Sequence, residues 1–322
     1  MKLGVSGASG QLGKAVLAEL TARGSHHHVV GISRTPESVQ PPAQGRYGDY
    51  DHAETLVQAY RGLDRLLLIP SADLRPGVRG RQFMAAIDAA VRAGVPHIVM
   101  VSAAGTREMA EPSLGAAYWV GEQHLVRMAS RWTILRMNYY AESFAQQVPL
   151  SLGSGVLPGL GESRVAFVSR DDVAAAAAGI LLGEGHAGAL YNATGPVALS
   201  GAQRAALVAE ITGKPVRFAV SDEAGLRQGL ARAGIPEGFA DAVIEIEKNF
   251  VAGAFDVVTG DVARLAGREP RAFRDLLVDS LQNFVAGAFD VVTGDVARLA
   301  GREPRAFRDL LVDSLRPAAA DA

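Results

Sequence analysis

The sequence predicts an α/β fold: a doubly wound parallel sheet followed by a smaller, mostly helical C-terminal lobe. Three observations predict it. Short apolar runs of strand length alternate with helix-length segments through the first half of the chain. The first strand–helix junction, "VSGASGQLGKAV", holds three glycines at three-residue steps. After about residue 148 the alternation gives way to glycine-rich loops and alanine-rich helical segments.

The predicted strands are Leu3–Ser6, His28–Ile32, Gly45–Gly48, Arg65–Ile69, His97–Ser102 and Thr133–Arg136. Helical runs lie between them at Gln11–Ala22, Ala53–Tyr60, Gly80–Ala93 and Ala117–Ser130. "DHAE" at Asp51–Glu54 has the spacing of a capping box, and "ARGS" and "RAGV" supply glycine stops. Farther on, "SRDDVAAAAAGILLGEG" predicts a helix beginning near Asp171, with Asp171 and Asp172 at its favourable N-terminal end. Further helices are expected at Ser200–Thr212 and Asp222–Ala233. The resulting division is a nucleotide-binding domain over residues 1–148, a smaller substrate lobe over 149–281 with some strands returning to the main sheet, and an appended segment over 282–322.

That last segment repeats what precedes it. Asn249–Leu281 and Asn283–Leu315 are identical letter for letter. Two undrifted copies do not make a solenoid, which needs at least about three repeats to bury a continuous core. They read as a recent tandem duplication or an assembly artefact. Each copy predicts a helix pair split by Gly267–Pro270 or Gly301–Pro304, and its stripe of Phe273, Leu276, Leu277 and Leu281 has one seat to fill on the body.

Bulk properties narrow the classes. The chain has 322 residues, 48% hydrophobic and 20% charged, the balance of an ordinary globular protein. A net charge of −2 without long basic runs argues against nucleic acid or an anionic membrane as partner. No apolar stretch is long enough to span a bilayer, and the N-terminus begins on a strand without a leader, so a cytoplasmic location is expected. Zero cysteines exclude thiolate metal sites and cysteine nucleophiles. His26–His28 project in different directions at a strand entrance, so no metal site is expected there.

The chemistry begins at the glycine turn. Gly7 allows the tight turn, Gly10 lets backbone approach a pyrophosphate, and Gly13 lets helix and strand pack closely. Bare amides at the helix start then meet the phosphate charge. An NAD site usually places an acid about twenty residues past this turn, on the ribose 2′-hydroxyl. This chain has "GISRTP" there: Ser33, Arg34 and no acid. A guanidinium suits a 2′-phosphate, so NADPH is the expected cofactor and NADH the alternative.

These residues, with "GDY" at Gly48–Tyr50, "LLLIPS" at Leu66–Ser71, "LR" at Leu135–Arg136, "SRDDVAAAAA" and "AGIPEGFAD", resemble the NmrA-like branch of the atypical short-chain dehydrogenases, in particular its quinone-reducing members. The resemblance covers most of residues 1–281, and removing one repeat leaves a chain of ordinary length for that family. It implies a Rossmann domain in which Gly7, Ala8, Ser9, Gly10, Gln11 and Leu12 hold the pyrophosphate and Arg34 the 2′-phosphate. Asp49 and Tyr50 would lie by the adenine, and Ile69 to Ser71 along the nicotinamide ribose. Asn138, Tyr139 and Tyr140 would face nicotinamide and substrate, with Asn138 and Tyr140 as catalytic candidates. Ser102, ending the fifth strand, joins the cofactor set.

Many short-chain dehydrogenases use a serine and Tyr-x-x-x-Lys. Here "YWVGE" places Tyr118 and Glu122 one helical turn apart, with glutamate at the lysine position. A neighbouring carboxylate raises a phenol's pKa, so Tyr118 is a candidate proton or hydrogen-bond donor and a poor base. A quinone accepts hydride to give a stabilised phenolate and needs no strong acid. The expected function is therefore an NADPH-dependent oxidoreductase transferring hydride to a quinone or similar conjugated acceptor. The alternative from another class is a non-catalytic NADP(H)-sensing regulator of the NmrA type. The expected partner is a small-molecule electron acceptor, and a homodimer stays open.

Overall fold

A computed structural model describes residues 1–285 apart from 25, 74, 111, 112 and 236. Its core is a seven-stranded, wholly parallel sheet. The strands are β1 (Lys2–Ser6), β2 (His28–Ser33), β3 (Gln44–Tyr47), β4 (Arg65–Leu68), β5 (His97–Ala103) and β6 (Trp132–Met137), with β9 (Ala189–Ala193) as the far edge. Their order is β3-β2-β1-β4-β5-β6-β9. Chain order reverses at β1, which pairs with β2 on one side and β4 on the other (Val5 opposite Gly31 and Leu67), and ligands of such sheets bind beyond the strand ends at that reversal.

Alternation along the buried strands divides the core in two. Leu3, Val5, Leu67, Val99, Val101 and Leu135 face α1 (Gln11–Ala22) and α6 (Arg170–Leu182). Val30, Ile32, Leu66, Leu68, Ile98, Met100 and Ile134 face α2 (Ala53–Tyr60), α3 (Val78–Arg92) and α4 (Leu114–Met128). Each fully buried aliphatic contributes about 1.5–3 kcal/mol, so helices on both faces are what such two-sided strands require. The predicted fold class is the observed one, and helices Gln11–Ala22 and Ala53–Tyr60 have their predicted bounds.

The remaining elements follow β6. They are α5 (Ala141–Ser154), β7 (Val156–Gly159), β8 (Arg164–Val165), β10 (Leu199–Ser200), α7 (Gly201–Thr212), β11 (Arg217–Val220), α8 (Glu223–Arg232), α9 (Glu237–Val251), α10 (Asp261–Ala266) and α11 (Phe273–Val285). The alanine run of α6 is buried on every side, and a Cβ added at Gly179 would stand 1.9 Å from the Leu265 carbonyl, so α10 rides directly on α6. Phe273, Leu276 and Leu277 are buried, as their stripe predicts, with Phe273 4.4 Å from Phe167 ring to ring. Met1–Ser280 forms one compact unit, and Leu281–Ala322 separates as a second. The second repeat copy falls almost wholly outside the described residues.

Three local expectations need correction. "DHAE" is not a capping box: His52 is the N-cap without a side-chain bond, and Asp51 instead accepts from Gln82 Nε2 at 2.8 Å. Helix α4 begins before Ala117 because Ser113 caps it, accepting from the Ala116 amide at 2.9 Å. Asp172 does more than decorate a helix start. It is fully buried, paired with the Arg268 guanidinium and accepting from the Arg271 amide at 2.9 Å, which ties the α10–α11 connection to α6.

Candidate active site

The turn after β1 is held by two amides, Gly7 and Ala8, which donate to the Ile32 carbonyl at 3.0 and 3.1 Å. Gly7 has φ +88°, which a side chain disfavours. At Gly13 an added Cβ would stand 2.3 Å from the Gly7 carbonyl oxygen and 2.8 Å from the Ala8 Cα, which is the close helix–strand approach expected of the third glycine. The N-cap of α1 is Gly10, which has no side chain to satisfy the first-turn amides of Gln11, Leu12 and Gly13. The turn therefore offers unpaired donors and no Cβ in their way.

Beyond it lies a cleft of about 740 Å³, within the roughly 300–1,000 Å³ of small-molecule sites. It brings together Gly7, Ser9, Gly10, Gln11, Leu12 and Gly13 with Arg34, Asp49, Tyr50, Ile69, Ser71, Tyr118 and Tyr140. Arg34 is exposed just past β2 and has no ion-pair or hydrogen-bond partner among the described residues. Asp49 lines the wall while its carboxylate accepts from the Asp51 amide at 3.1 Å. Tyr50 presents its ring, because its hydroxyl donates to the Ile69 carbonyl at 2.7 Å, and burial pushes that phenol up to about 12. Ser71 donates to Gln82 Oε1, and Gln82 in turn reaches Asp51.

Four expected residues stand outside the cleft wall. Ala8 is buried and packs beneath the turn. Ser102 is fully buried and donates to Glu122 Oε1 at 2.6 Å. Asn138 is 2% exposed and spends its side chain on the chain itself, donating to the Phe255 carbonyl at 3.1 Å and accepting from the Tyr139 amide at 2.7 Å. Tyr139 sits in an aromatic cluster with Phe167, Phe250 and Phe255, its hydroxyl accepting from Gln147 at 3.0 Å.

Glu122 is not the neighbour of the Tyr118 hydroxyl that the spacing suggests. Its carboxylate is held by Arg136 at 2.6 and 2.8 Å and by Ser102, whereas the Tyr118 oxygen accepts from Arg79 Nη1 at 3.4 Å. The Tyr118 phenol is raised as expected, but by burial, which the nearby Arg79 guanidinium partly offsets. Tyr140, under the Arg170 guanidinium at 5.0 Å, is likewise raised by burial. Arg79, Gln82, Asp51, Asp73 and Met137 also line the cleft. Sequence reading missed them: α3, which carries Arg79 and Gln82, has no motif and its pattern says only that one face is buried, while Asp51 and Asp73 sit singly in loops and Met137 at a strand end. Among the described residues, no group of three or more His, Cys, Asp or Glu stands together as a metal site.

A dinucleotide fits this geometry: free amides and a Cβ-free cradle at one end, an unpaired guanidinium beside it, and a polar trough leading away. The NAD(P)H-binding family matches residues 7–183. Quinone oxidoreductase 2 of Escherichia coli is 31% identical over 270 residues, covering 82% of this chain and 93% of that protein. NAD(P)H azoreductase of Xenophilus azovorans is 32% identical over 230 residues, covering 67% of this chain and 78% of its own. The E. coli NADPH-dependent quinone oxidoreductase complexed with NADPH matches with a TM-score of 0.81 at 28% identity, over 87% of this chain and 99% of that one. The chain belongs to the NAD(P)H-binding family, as an NmrA-like, quinone reductase-like oxidoreductase. No helix among its described residues is long and apolar enough to cross a membrane.

Proposed function

We propose that this protein is an NADPH-preferring reductase of quinones or similar conjugated acceptors. The observation that carries the reading is the setting of Tyr118. The lysine position of a short-chain dehydrogenase is Glu122, which is bound to Arg136 and Ser102, and burial keeps the Tyr118 phenol above its ordinary value despite Arg79, so the described residues assemble no phenolate base. Such a site is poor at removing a proton from an alcohol and adequate for an acceptor whose reduced form is a stabilised phenolate.

The bound nicotinamide carrier supplies the hydride. The amides of Gln11, Leu12 and Gly13 would take the pyrophosphate at the N-terminus of α1. Arg34 would clamp the 2′-phosphate, and Tyr50 and Ile69 would wall the trough. Tyr118 and Tyr140, raised by burial, stay protonated and act as hydrogen-bond donors. Positioning against an electron-poor ring then does most of the work. The division at residue 148 and a cytoplasmic location accompany this reading.

Mixing the protein with NADPH and a panel of benzoquinones, while following absorbance of the reduced nicotinamide, tests it. Quinone-dependent oxidation is expected. Tight NADPH binding with no turnover on any conjugated acceptor would overturn it in favour of a nucleotide sensor.

A further inference from the structure

Helix α3 places a guanidinium where the cleft meets a second cavity. That cavity, about 340 Å³, is lined by Gly77, Ser113, Ala117, Asp241 and Glu245, and shares Asp73, Arg75 and Arg79 with the main cleft. Arg79 is only 9% exposed. No carboxylate stands within ion-pair distance of it among the described residues, although Arg75 beside it is fully engaged by Asp73. Among the described residues its side-chain hydrogen bonding amounts to the long contact to the Tyr118 oxygen at 3.4 Å, and its Nε is buried with no acceptor. Most buried arginines in this chain are better served: Arg65 binds Glu184 and backbone carbonyls, and Arg204 reaches Ser163 at 2.9 Å and Ser200. The Asp73 carboxylate acts on Arg79 electrostatically without pairing with it, and a buried cation without an ion-pair partner costs several kcal/mol, which a ligand's negative charge would relieve.

The backbone adds to the same charge. Arg79 lies in the first turn of α3, whose N-cap, Gly77 at φ +69°, makes no side-chain cap, so amides at this helix start are also unpaid by side chains. Gly77 and Arg79 both line the second cavity. The glycine turn at the opposite end of the cleft already accounts for the pyrophosphate, and Arg34 for the extra phosphate. A third cationic locus, paired with a phenol, needs a different anion.

We propose that Arg79, with the Tyr118 hydroxyl, is the receptor for the acceptor oxygen that becomes negatively charged on reduction. This rests on the quinone-type reading above and deepens it. Transfer of one hydride equivalent to a quinone forms one new bond to hydrogen. It displaces the carbonyl π pairs through the ring onto an oxygen, giving the hydroquinone monoanion. One proton from solvent completes the hydroquinone, the quinone being reduced and the dihydronicotinamide oxidised. Arg79 meets the oxygen that carries the charge before that proton arrives, and it does so from a fixed, dry position.

The test uses Arg79→Gln and Arg79→Lys in the full chain with three readouts: NADPH affinity, steady-state reduction of 1,4-benzoquinone, and calorimetric binding of pentafluorophenolate, an irreducible phenolate, to the NADP⁺ complex. Arg79→Gln should lower kcat/KM for benzoquinone about 100-fold, chiefly through kcat. NADPH affinity should stay within about threefold, which also shows that the variant is folded. Pentafluorophenolate binding should vanish in Arg79→Gln and return in part in Arg79→Lys. A loss confined to NADPH affinity would give Arg79 to the cofactor and overturn the proposal, as would unchanged benzoquinone turnover. Absence of pentafluorophenolate binding to the parent complex would overturn it too. If the parent protein reduces no quinone yet binds pentafluorophenolate through Arg79, the oxyanion receptor stands and the quinone reading fails.

Discussion

The Arg136 guanidinium grips the Glu122 carboxylate with two bonds, Nε at 2.8 Å and Nη2 at 2.6 Å, with Glu122 buried and Arg136 partly so. A buried pair broken on one side leaves an uncompensated charge, a loss of about 3–5 kcal/mol. Glu122→Gln should therefore lower the urea midpoint by an amount matching about 3 kcal/mol or more, with NADPH still bound under native conditions. A negligible change in stability would show that the pair does not hold β6 to α4.

Gly13 and Gly10 should respond differently to alanine. The added methyl at Gly13 meets the Gly7 carbonyl at 2.3 Å, whereas at Gly10 its nearest neighbour is 3.4 Å away. Gly13→Ala must push α1 off β1 and should destabilise the fold by about 1–3 kcal/mol, whereas Gly10→Ala should leave stability nearly unchanged. Urea denaturation without ligand measures both, and equal losses would mean that packing is not what the third glycine secures.

Arg34 is exposed and unpaired among the described residues, so its removal costs no contact to them. Arg34→Ala should weaken NADPH about 100-fold and NADH by less than about threefold. Equal losses would remove the 2′-phosphate assignment.

Burial holds the Tyr118 phenol above its ordinary value of 10. A group raised in this way remains protonated throughout the neutral range, so the pH profile of kcat should show no Tyr118 inflection below about pH 10. Tyr118→Phe, which keeps the ring and leaves the Arg79 charge, should leave quinone reduction within about tenfold. Activity that rises with pH through an inflection below about pH 10, absent from Tyr118→Phe, would mark a phenolate base and contradict a donor role.

His97 is 2% exposed, bonded through Nε2 to Thr133 at 2.8 Å, and burial lowers it from 6.5 to about 4. Because the folded state resists protonation, the unfolded chain binds more protons between those values. Its contribution to stability is whole above pH 6.5 and is lost as pH falls towards 4. Denaturation at several pH values should show that slope, and His97→Gln should flatten it.

The legible parts of this protein are those written locally along the chain. Strand and helix order follow from apolar periodicity, so the predicted strands of the sheet and helices such as Gln11–Ala22 fall where the residues place them. The glycine turn is legible because its three positions lie within one strand–helix junction, and Arg34 because its distance from that turn is short. What stayed hidden joins distant segments. Ser102 and Asn138 looked like site residues, yet the packing of α4 turns Ser102 to Glu122, and the chain at Phe255 claims Asn138.

By itself, then, the sequence determined the doubly wound sheet, the tight glycine turn after β1 and the missing acid on β2, because each is a short-range consequence of side-chain size and spacing. Only the tertiary structure decided which charges meet. Glu122 pairs with Arg136 rather than meeting Tyr118, Asp172 pairs with Arg268, and Arg79 makes no ion pair among the described residues. The physical reason is that ion pairing in a dry interior depends on the rotation and depth of whole helices, and no spacing along one segment records where another will lie.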